Sequence, residues 1–158
     1  MAYISTEEVA AIRKELKKEL PEYKFSVTKH HHSSVTVAFM KGPAFKEFTY
    51  RDRNGDNVAG DINTHEQLNH YHAERFYGEE NAKIINKVEE IIKTAPAKVE
   101  GGREWFDESD SQSDYFHTAF YMSIHVGKWD KPYEVVCNPY GSRVWSVRLF
   151  SKLMAKSA

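Results

Sequence analysis

The segment "KFSVTKHHHSSVTVAFM", residues 24–40, decides the fold, because apolar and polar residues alternate on both sides of a polar centre. The alternating apolar positions are Phe25, Val27, Val35, Val37 and Phe39. Alternation with a period of two around a polar turn is typical of a β-hairpin that buries one face. The segment therefore predicts an antiparallel hairpin, with the histidine run at residues 30–32 near its turn.

Two further segments predict amphipathic helices. In "STEEVAAIRKELKKELP", residues 5–21, Ser5 precedes Glu8 by three positions, which is the pattern of a capping box, and Pro21 ends the apolar stripe. That stripe consists of Val9, Ile12, Leu16 and Leu20. In "EENAKIINKVEEIIKTAP", residues 79–96, apolar residues again recur at helical spacing before Pro96. Each helix therefore has one apolar face to bury.

Two more hairpins are predicted. The segment "FHTAFYMSIHVGKWDKPYEVV", residues 116–136, indicates a long strand, a turn and a second strand. Its apolar face, which we expect in the core, consists of Phe116, Phe120, Met122, Ile124 and Val126. The segment "FKEFTYRDRNGDNVAGDI", residues 45–62, contains the pair Asn54-Gly55, which suits a tight primed turn. The order of a helix and then a hairpin, at residues 5–40 and again at 80–136, predicts a pseudo-repeat.

These elements predict an α+β fold in a single domain over residues 1–158. We expect an antiparallel sheet built from hairpins, with two or three helices packed on one face and the other face free. A short helix is expected around residues 65–77, and the tail from Ser142 is expected to be helical. The segment at residues 100–114, with six acidic residues and the single cation Arg103, is expected to be a loop.

Length and composition exclude several classes of protein. The chain has 158 residues and a formal net charge of −1, which argues against a broad surface for polyanions. It has no apolar run long enough to span a bilayer, and its N-terminus predicts a helix and not a signal peptide. The single cysteine, Cys137, cannot form an internal disulfide or a Cys-based zinc site. These features predict a cytoplasmic protein.

The polar face of the strand in residues 116–136 is the predicted binding surface. It carries Tyr115, His117, Tyr121 and His125, because side chains two positions apart share one face of a strand. Aromatic residues and histidines on an open sheet can stack on bases or anchor a protein partner. The alternative is that a helix or the acidic loop covers this face and that the rings are ordinary packing.

No metal and no cofactor are predicted. Adjacent histidines on a strand point to opposite faces, so the run at residues 30–32 is an expected polar turn. Glu66 follows His65, but the next histidine, His70, is five residues on, whereas a helical zinc site needs a spacing of four. The segment "DRNGDN", residues 52–57, has its glycine at the fourth position, and a calcium-binding EF-hand needs it at the sixth. Histidines from distant segments could still converge on a metal.

A second functional hypothesis is a small hydrolase of nucleotides or nucleic acids that uses His32, His117 and His125. The sequence His32-Ser33-Ser34 fits one His-x-Ser element, in which a hydroxyl holds a phosphate beside a general acid and base. The segments that begin at His117 and His125 lack a hydroxyl residue two positions later. The pattern for a hydrolase is therefore incomplete.

Two segments carry a resemblance to a known family. The segment "YISTEEVAAIRKELKKELPEYKFSVTKHHHSSVTVAFMKGP", residues 3–43, resembles the opening of the large polyvalent protein-associated domain 29 of phages and conjugative elements. The shared features are a helix, a proline and "KFSV", a polar turn, and a serine-led strand before "GP". The segment "DYFHTAFYMSIHVGKWDKPYEVV", residues 114–136, is similar to the later part of longer members, which end a strand with "IGKWDKP" where this chain has "VGKWDKP".

The resemblance covers roughly half of the chain and supplies no catalytic residues. It implies an origin in mobile genetic elements and a role beside their accessory proteins, some of which counter host defences. We therefore predict a non-enzymatic accessory protein that binds a macromolecule, either a host-defence protein or a nucleic acid.

Overall fold

The computed structural model describes residues 2–62 and 64–136, and its architecture confirms the predicted α+β class. The helices are α1 (Thr6–Glu19) and α2 (Ala73–Thr94), and short 3₁₀ turns span His70–His72 and Ala95–Lys98. The strands are β1 (Lys24–His30), β2 (Ser34–Gly42), β3 (Phe48–Arg51), β4 (Asn57–Gly60), β5 (Glu66–Leu68), β6 (Tyr121–Val126) and β7 (Glu134–Val135). The main sheet has the order β1-β2-β6-β5, with β7 also paired to β2, and β3 and β4 form a second sheet.

Strands β1 and β2 form the predicted antiparallel hairpin. Val27 lies opposite Val37 and Phe25 lies opposite Phe39, so the apolar positions of both strands share one face. On β2, Val35, Val37 and Phe39 are fully buried. Because β1 and β6 pair with the two edges of β2, this strand is central to the sheet.

The turn between β1 and β2 uses an uncommon backbone. His31 and His32 take φ values of 49° and 58°, and the Ser33 amide donates to the His30 carbonyl at 3.1 Å. Positive φ at both central positions belongs to primed turns, for which Asn and Gly are the usual residues. The two histidines therefore hold a conformation that is unfavourable for their side chains.

Both helices bury their apolar stripes on the same face of the sheet, as predicted. Helix α1 begins at a capping box, in which the Glu8 amide donates to the Ser5 hydroxyl at 3.1 Å and the Ser5 amide donates to the Glu8 carboxylate at 2.7 Å. Helix α2 is interrupted at Gly78, whose φ of 80° favours glycine. One core results, and its fully buried members include Ile12, Leu16, Phe39, Ile85, Ile92 and Ile124.

Residues 116–136 do not form a hairpin, so that prediction is wrong. Strands β6 and β7 both run parallel to β2 along the same edge: Ser123 lies opposite Thr36, and Glu134 lies opposite Lys41. A turn at residues 128–131 returns the chain to the line of β2. Alternation shows which face of a strand is buried, but it does not show which strand lies beside it.

Strand β6 also begins later than predicted. Phe120 is buried as expected, but Phe116, which we expected in the core, is 68% exposed. Residues 115–119 pair with residues 106–110 and not with the sheet. The alternation of apolar residues from 116 to 126 therefore begins in this separate pairing and continues into β6. Because residues 116–136 do not form the hairpin that the second copy requires, the predicted pseudo-repeat is also wrong.

The middle of the chain contains one confirmed prediction and two wrong ones. Strands β3 and β4 form the expected hairpin, and Asn54-Gly55 lies in its turn. The turn is not the predicted primed one, because residues 52–56 separate the strands and Gly55 has a positive φ, of 87°, whereas Asn54 does not. The predicted helix at residues 65–77 is replaced at its start by β5, which pairs antiparallel with β6. Strand β5 is hard to recognise because Leu68 is its single buried residue.

The predicted helical tail from Ser142 and the single cysteine, Cys137, lie outside the described ranges. Within those ranges, no helix combines the length and the apolar character that a membrane crossing requires.

Candidate binding surface at one end of the sheet

Residues 105–119 form an irregular antiparallel hairpin, which we call the arm. Asp110 and Tyr115 exchange two backbone hydrogen bonds, of 2.6 and 3.0 Å. Trp105 attaches the arm to the rest of the protein, because its ring nitrogen donates to the Phe120 carbonyl at 2.8 Å and its amide donates to the Lys93 carbonyl at 2.8 Å. Residues 100–114 contain no helix or regular strand, so the predicted loop is confirmed, and isolated bridges at Asp107 and Asp110 pair part of it with residues 115–118.

Aspartate side chains shape the tip of the arm. The Asp107 carboxylate accepts the Ser109 amide at 3.1 Å, and the Asp110 carboxylate accepts the Ser113 hydroxyl at 2.8 Å and the Gln112 amide at 3.0 Å. The bonds from Ser109 lower the pKa of Asp107, and those from Ser113 and Gln112 lower the pKa of Asp110, since each favours the ionised carboxylate. The carboxylates of Asp107 and Asp110 therefore stabilise the turns of the arm.

Four side chains lie next to one another in a row along the arm, with their rings tilted and not stacked. The Arg103 guanidinium lies 5.1 Å from the Phe106 ring centre, the Phe106 and His117 rings are 5.0 Å apart, and the His117 and Tyr115 rings are 5.9 Å apart. His117 Nδ1 also lies 3.2 Å from the Glu108 carboxylate. Tyr115 and His117 therefore lie on the arm and not on β6, so the prediction that one strand carries all four binding residues is wrong.

The N-terminal segment and the β1–β2 turn reach the same end of the sheet. The Tyr3 amide donates to the Ala119 carbonyl at 2.8 Å, and the Tyr3 ring stacks on His32 with ring centres 6.2 Å apart. Tyr121, the first residue of β6, donates its amide to the Ser33 carbonyl at 2.9 Å. Three segments that are distant in sequence thus meet beside the arm.

Exposed aromatic side chains concentrate in this region. In the described part of the chain, six large apolar side chains are exposed: Tyr3, Tyr71, Tyr115, Phe116, Tyr121 and Trp129. Four of them, Tyr3, Tyr115, Phe116 and Tyr121, belong to the arm or to the segments that meet it, and each is at least 53% exposed. We call these four residues the aromatic end. A concentration of exposed apolar side chains marks an interaction site more often than scattered single residues do.

A cleft of about 440 Å³ opens beside the aromatic end, between the start of α1 and the arm. Tyr3, Phe106 and His117 supply aromatic walls. Four glutamates also line it, namely Glu7, Glu8, Glu100 and Glu104, against the single cation Arg103. The cleft therefore combines aromatic surface with an excess of negative charge.

His125, the fourth predicted binding residue, lies away from this region. It is opposite Ala38 on β2 and Gln67 on β5, and the four-residue step along β6 from Tyr121 to His125 corresponds to about 13 Å. Burial, and then the charge of His65, lowers the pKa of His125. The structure thus brings Tyr115, His117 and Tyr121 to one end of the sheet and leaves His125 at the other.

The three histidines of the hydrolase hypothesis are not assembled around one point. His32 and His117 both lie beside Tyr3, but His125 is a strand length away. The Lys29 ammonium lies 3.1 Å from His32 Nδ1. Within residues 2–62 and 64–136, no group of three His, Cys, Asp or Glu side chains is arranged to hold a metal ion.

Sequence reasoning missed Tyr3 and Phe116 as surface residues. Tyr3 precedes the helix cap, where there is no periodicity to read, and Phe116 keeps the alternation of the core positions that follow it. The available signal was the Asp- and Ser-rich run at residues 107–114, because such side chains bond to nearby backbone and reverse the chain.

A family model described as large polyvalent protein associated domain 29 matches residues 4–125, about three quarters of the chain. The match extends from the residue before the α1 cap to His125 of β6, and it therefore includes the arm. Neither curated proteins nor solved structures give a match to the chain.

Proposed function

The chain belongs to the large polyvalent protein associated domain 29 family, and on this premise we propose that it is a non-enzymatic accessory protein that binds another protein through its aromatic end. The family is associated with phages and other mobile genetic elements. A host protein, and among host proteins a defence protein, is the partner we expect for an accessory protein of such an element.

The observation that carries this proposal is the concentration of exposed rings at the aromatic end. Tyr and Phe are enriched in the buried centres of protein interfaces, where they supply a large contact area at a small cost in side-chain entropy. The hydrogen bonds from the Tyr3 amide to Ala119 and from the Tyr121 amide to Ser33 hold the backbone that carries two of these rings. A surface held in this way loses little freedom when it binds.

Charge favours a protein over a nucleic acid as the partner. Residues 100–114 hold six acidic residues and one arginine beside the aromatic end, and these would repel phosphates. The open face of the sheet is also poor in cations: its centre is a pair of hydroxyls, Thr36 and Ser123, whose oxygens are 2.9 Å apart. Binding to nucleic acid usually requires several Lys or Arg side chains along the path of the phosphates.

The hydrolase hypothesis receives no support from the positions of its three histidines. A general acid and a general base must both reach one phosphate within hydrogen-bonding distance. His125 lies about 13 Å along the strand from the end where His32 and His117 lie.

The test is a comparative pull-down from host cells with quantitative mass spectrometry. The double variant Phe116→Ser/Tyr121→Ser removes two rings of the aromatic end, and Trp129→Ser removes a still more exposed ring at the other end of β6 as a control. We expect wild type and the control to capture the same protein and the double variant to lose it by at least about tenfold. Circular dichroism confirms that all three are folded. Equal capture by the double variant, or capture that depends on nucleic acid, would contradict the proposal.

A further inference from the structure

Within residues 2–62 and 64–136, Trp129 is the most exposed of the large apolar side chains, at 85%. It lies in the segment "GKWDKP", residues 127–132, which we call the tryptophan turn. Leaving a ring of this size in water is unfavourable, and burying it in an interface would recover that cost. The aromatic end does not account for Trp129, because β6 separates the two.

The tryptophan turn presents this ring on a well-supported backbone. Lys128 and Lys131 exchange two backbone hydrogen bonds, of 2.8 and 3.1 Å, and the Tyr133 amide donates to the Thr64 carbonyl at 2.8 Å. Gly127 takes a φ of 65°, and a Cβ at this position would collide with the Thr64 carbonyl. These bonds hold the backbone of the turn, so Trp129, which we call the knob, is presented from a pre-organised segment.

The charge of the tryptophan turn is opposite to that of the cleft beside the aromatic end. Lys128 and Lys131 against Asp130 give the turn a net charge of +1, since two cations face one acid. Arg103 against four glutamates gives the lining of the cleft a net charge of −3, since one cation faces four acids. The cleft also has aromatic walls, against which an indole packs well and beside which lysines are attracted.

We propose that Trp129 of one copy of this chain inserts into the cleft of a second copy. The knob and the cleft lie at opposite ends of the same sheet, because β6 runs from one to the other. Two copies that lie side by side in opposite directions can fill both clefts at once, which gives a closed two-fold dimer. Such self-association goes beyond the proposed function, because it needs no host partner.

The test is sedimentation equilibrium of the purified full chain over a concentration series. Trp129→Ser removes the knob, and Glu100→Lys/Glu104→Lys reverses the charge of the cleft rim at two exposed positions. Tyr71→Ser is the matched control, because this ring is 74% exposed, does not line the cleft and does not belong to the aromatic end. We expect wild type and the control to dimerise, and the first two variants to associate at least roughly thirtyfold more weakly.

Mixing the two defective variants provides the decisive measurement. The Trp129→Ser chain keeps an intact cleft and the Glu100→Lys/Glu104→Lys chain keeps an intact knob, so we expect the mixture to form a heterodimer through one of the two contacts, with an affinity between that of wild type and that of either variant alone. A wild-type chain that stays monomeric, a Trp129→Ser chain that dimerises as well as wild type, or a mixture that associates no more tightly than either variant alone would overturn the proposal. If the charge-reversed chain fails to fold, the comparison of wild type with Trp129→Ser still decides.

The proposed function and the proposed dimer can be tested independently of each other. Partner capture depends on Phe116 and Tyr121, which do not line the cleft, whereas self-association depends on Trp129. Loss of host-protein capture in Phe116→Ser/Tyr121→Ser with unchanged sedimentation would support the proposed function alone. The reverse pattern would support the dimer alone.

Discussion

The β1–β2 hairpin and the arm are both antiparallel pairs, but different parts of their sequences stabilise them. In β1–β2, the apolar face enters the core, and Val37 and Phe39 are fully buried. In the arm, the pairing is irregular, the carboxylates of Asp107 and Asp110 hold the turns, and Phe116 is exposed. The difference indicates that the first hairpin supports the fold, whereas the second displays side chains to the surroundings.

The largest expected effect is the difference in stability between removing a buried ring from β1–β2 and removing an exposed ring from the arm. Phe39 packs against Phe25, Tyr23 and Phe45, with ring centres 4.8–5.4 Å away, so Phe39→Ala should lower the free energy of unfolding by about 3–5 kcal/mol. Phe116→Ala should change it by no more than about 0.5 kcal/mol, because the ring is exposed. Urea denaturation measures both. Similar losses in the two variants would remove the distinction between the hairpins.

A smaller effect, of opposite sign, is expected at the β1–β2 turn. Replacing His31 by Asn and His32 by Gly relieves two positive φ angles, so the free energy of unfolding should rise by about 1–2 kcal/mol. Thermal and urea denaturation test this. A decrease would mean that contacts of the histidines, such as the one between His32 and Lys29, outweigh the backbone strain.

Weakening the attachment of the arm should lower the free energy of unfolding by a smaller amount, and the effect should be confined to the arm. Trp105→Phe removes the donor to the Phe120 carbonyl, which is worth about 0.5–1.5 kcal/mol. Amide hydrogen exchange should therefore become faster at Asp110 and Tyr115, which are paired within the arm, and stay unchanged at Val37 in β2. Equal acceleration at Val37 would show that the arm and the sheet unfold together.

The main sheet, which contains His125 on β6, and the arm should also respond to acid in different pH ranges. Because burial lowers the pKa of His125 from 6.5, the unfolded chain gains this proton more readily, and the free energy of unfolding should fall as the pH drops below about 6.5. Hydrogen bonds lower the pKa of Asp107 and Asp110 from 3.8, so the stability that they supply is present above that pH and is lost below it.

Denaturation at a series of pH values, with His125→Gln and Asp110→Asn, separates these contributions. His125→Gln should flatten the decline below pH 6.5, and Asp110→Asn should flatten only the decline below pH 3.8. A curve that neither variant changes would exclude both groups as its cause.

The parts of the fold that follow from local patterns were predictable from the sequence. The capping box at Ser5 and the apolar stripe after it specify α1, alternation specifies β1–β2, and Asn54-Gly55 specifies the β3–β4 turn. Each of these signals lies within one element or one turn, so no knowledge of distant neighbours is required.

The remaining parts depend on distant partners. The parallel pairing of β6 with β2 joins Tyr121 to Ser34 across α2 and the arm, and no periodicity encodes that choice. For the same reason, Tyr115, His117 and Tyr121 could be selected from their alternation, but their meeting with Tyr3 could not be foreseen. Whether these residues bind a partner stays a prediction.

Site-specific photo-crosslinking in host cells tests most directly whether the aromatic end binds a host protein. A benzophenone side chain in place of Phe116 or Tyr121 reports what touches the aromatic end, and the same group in place of Lys83, exposed on α2, is the control. We expect one host protein to be crosslinked from both Phe116 and Tyr121 and not from Lys83. Crosslinks to nucleic acid, or the same products from all three positions, would contradict it.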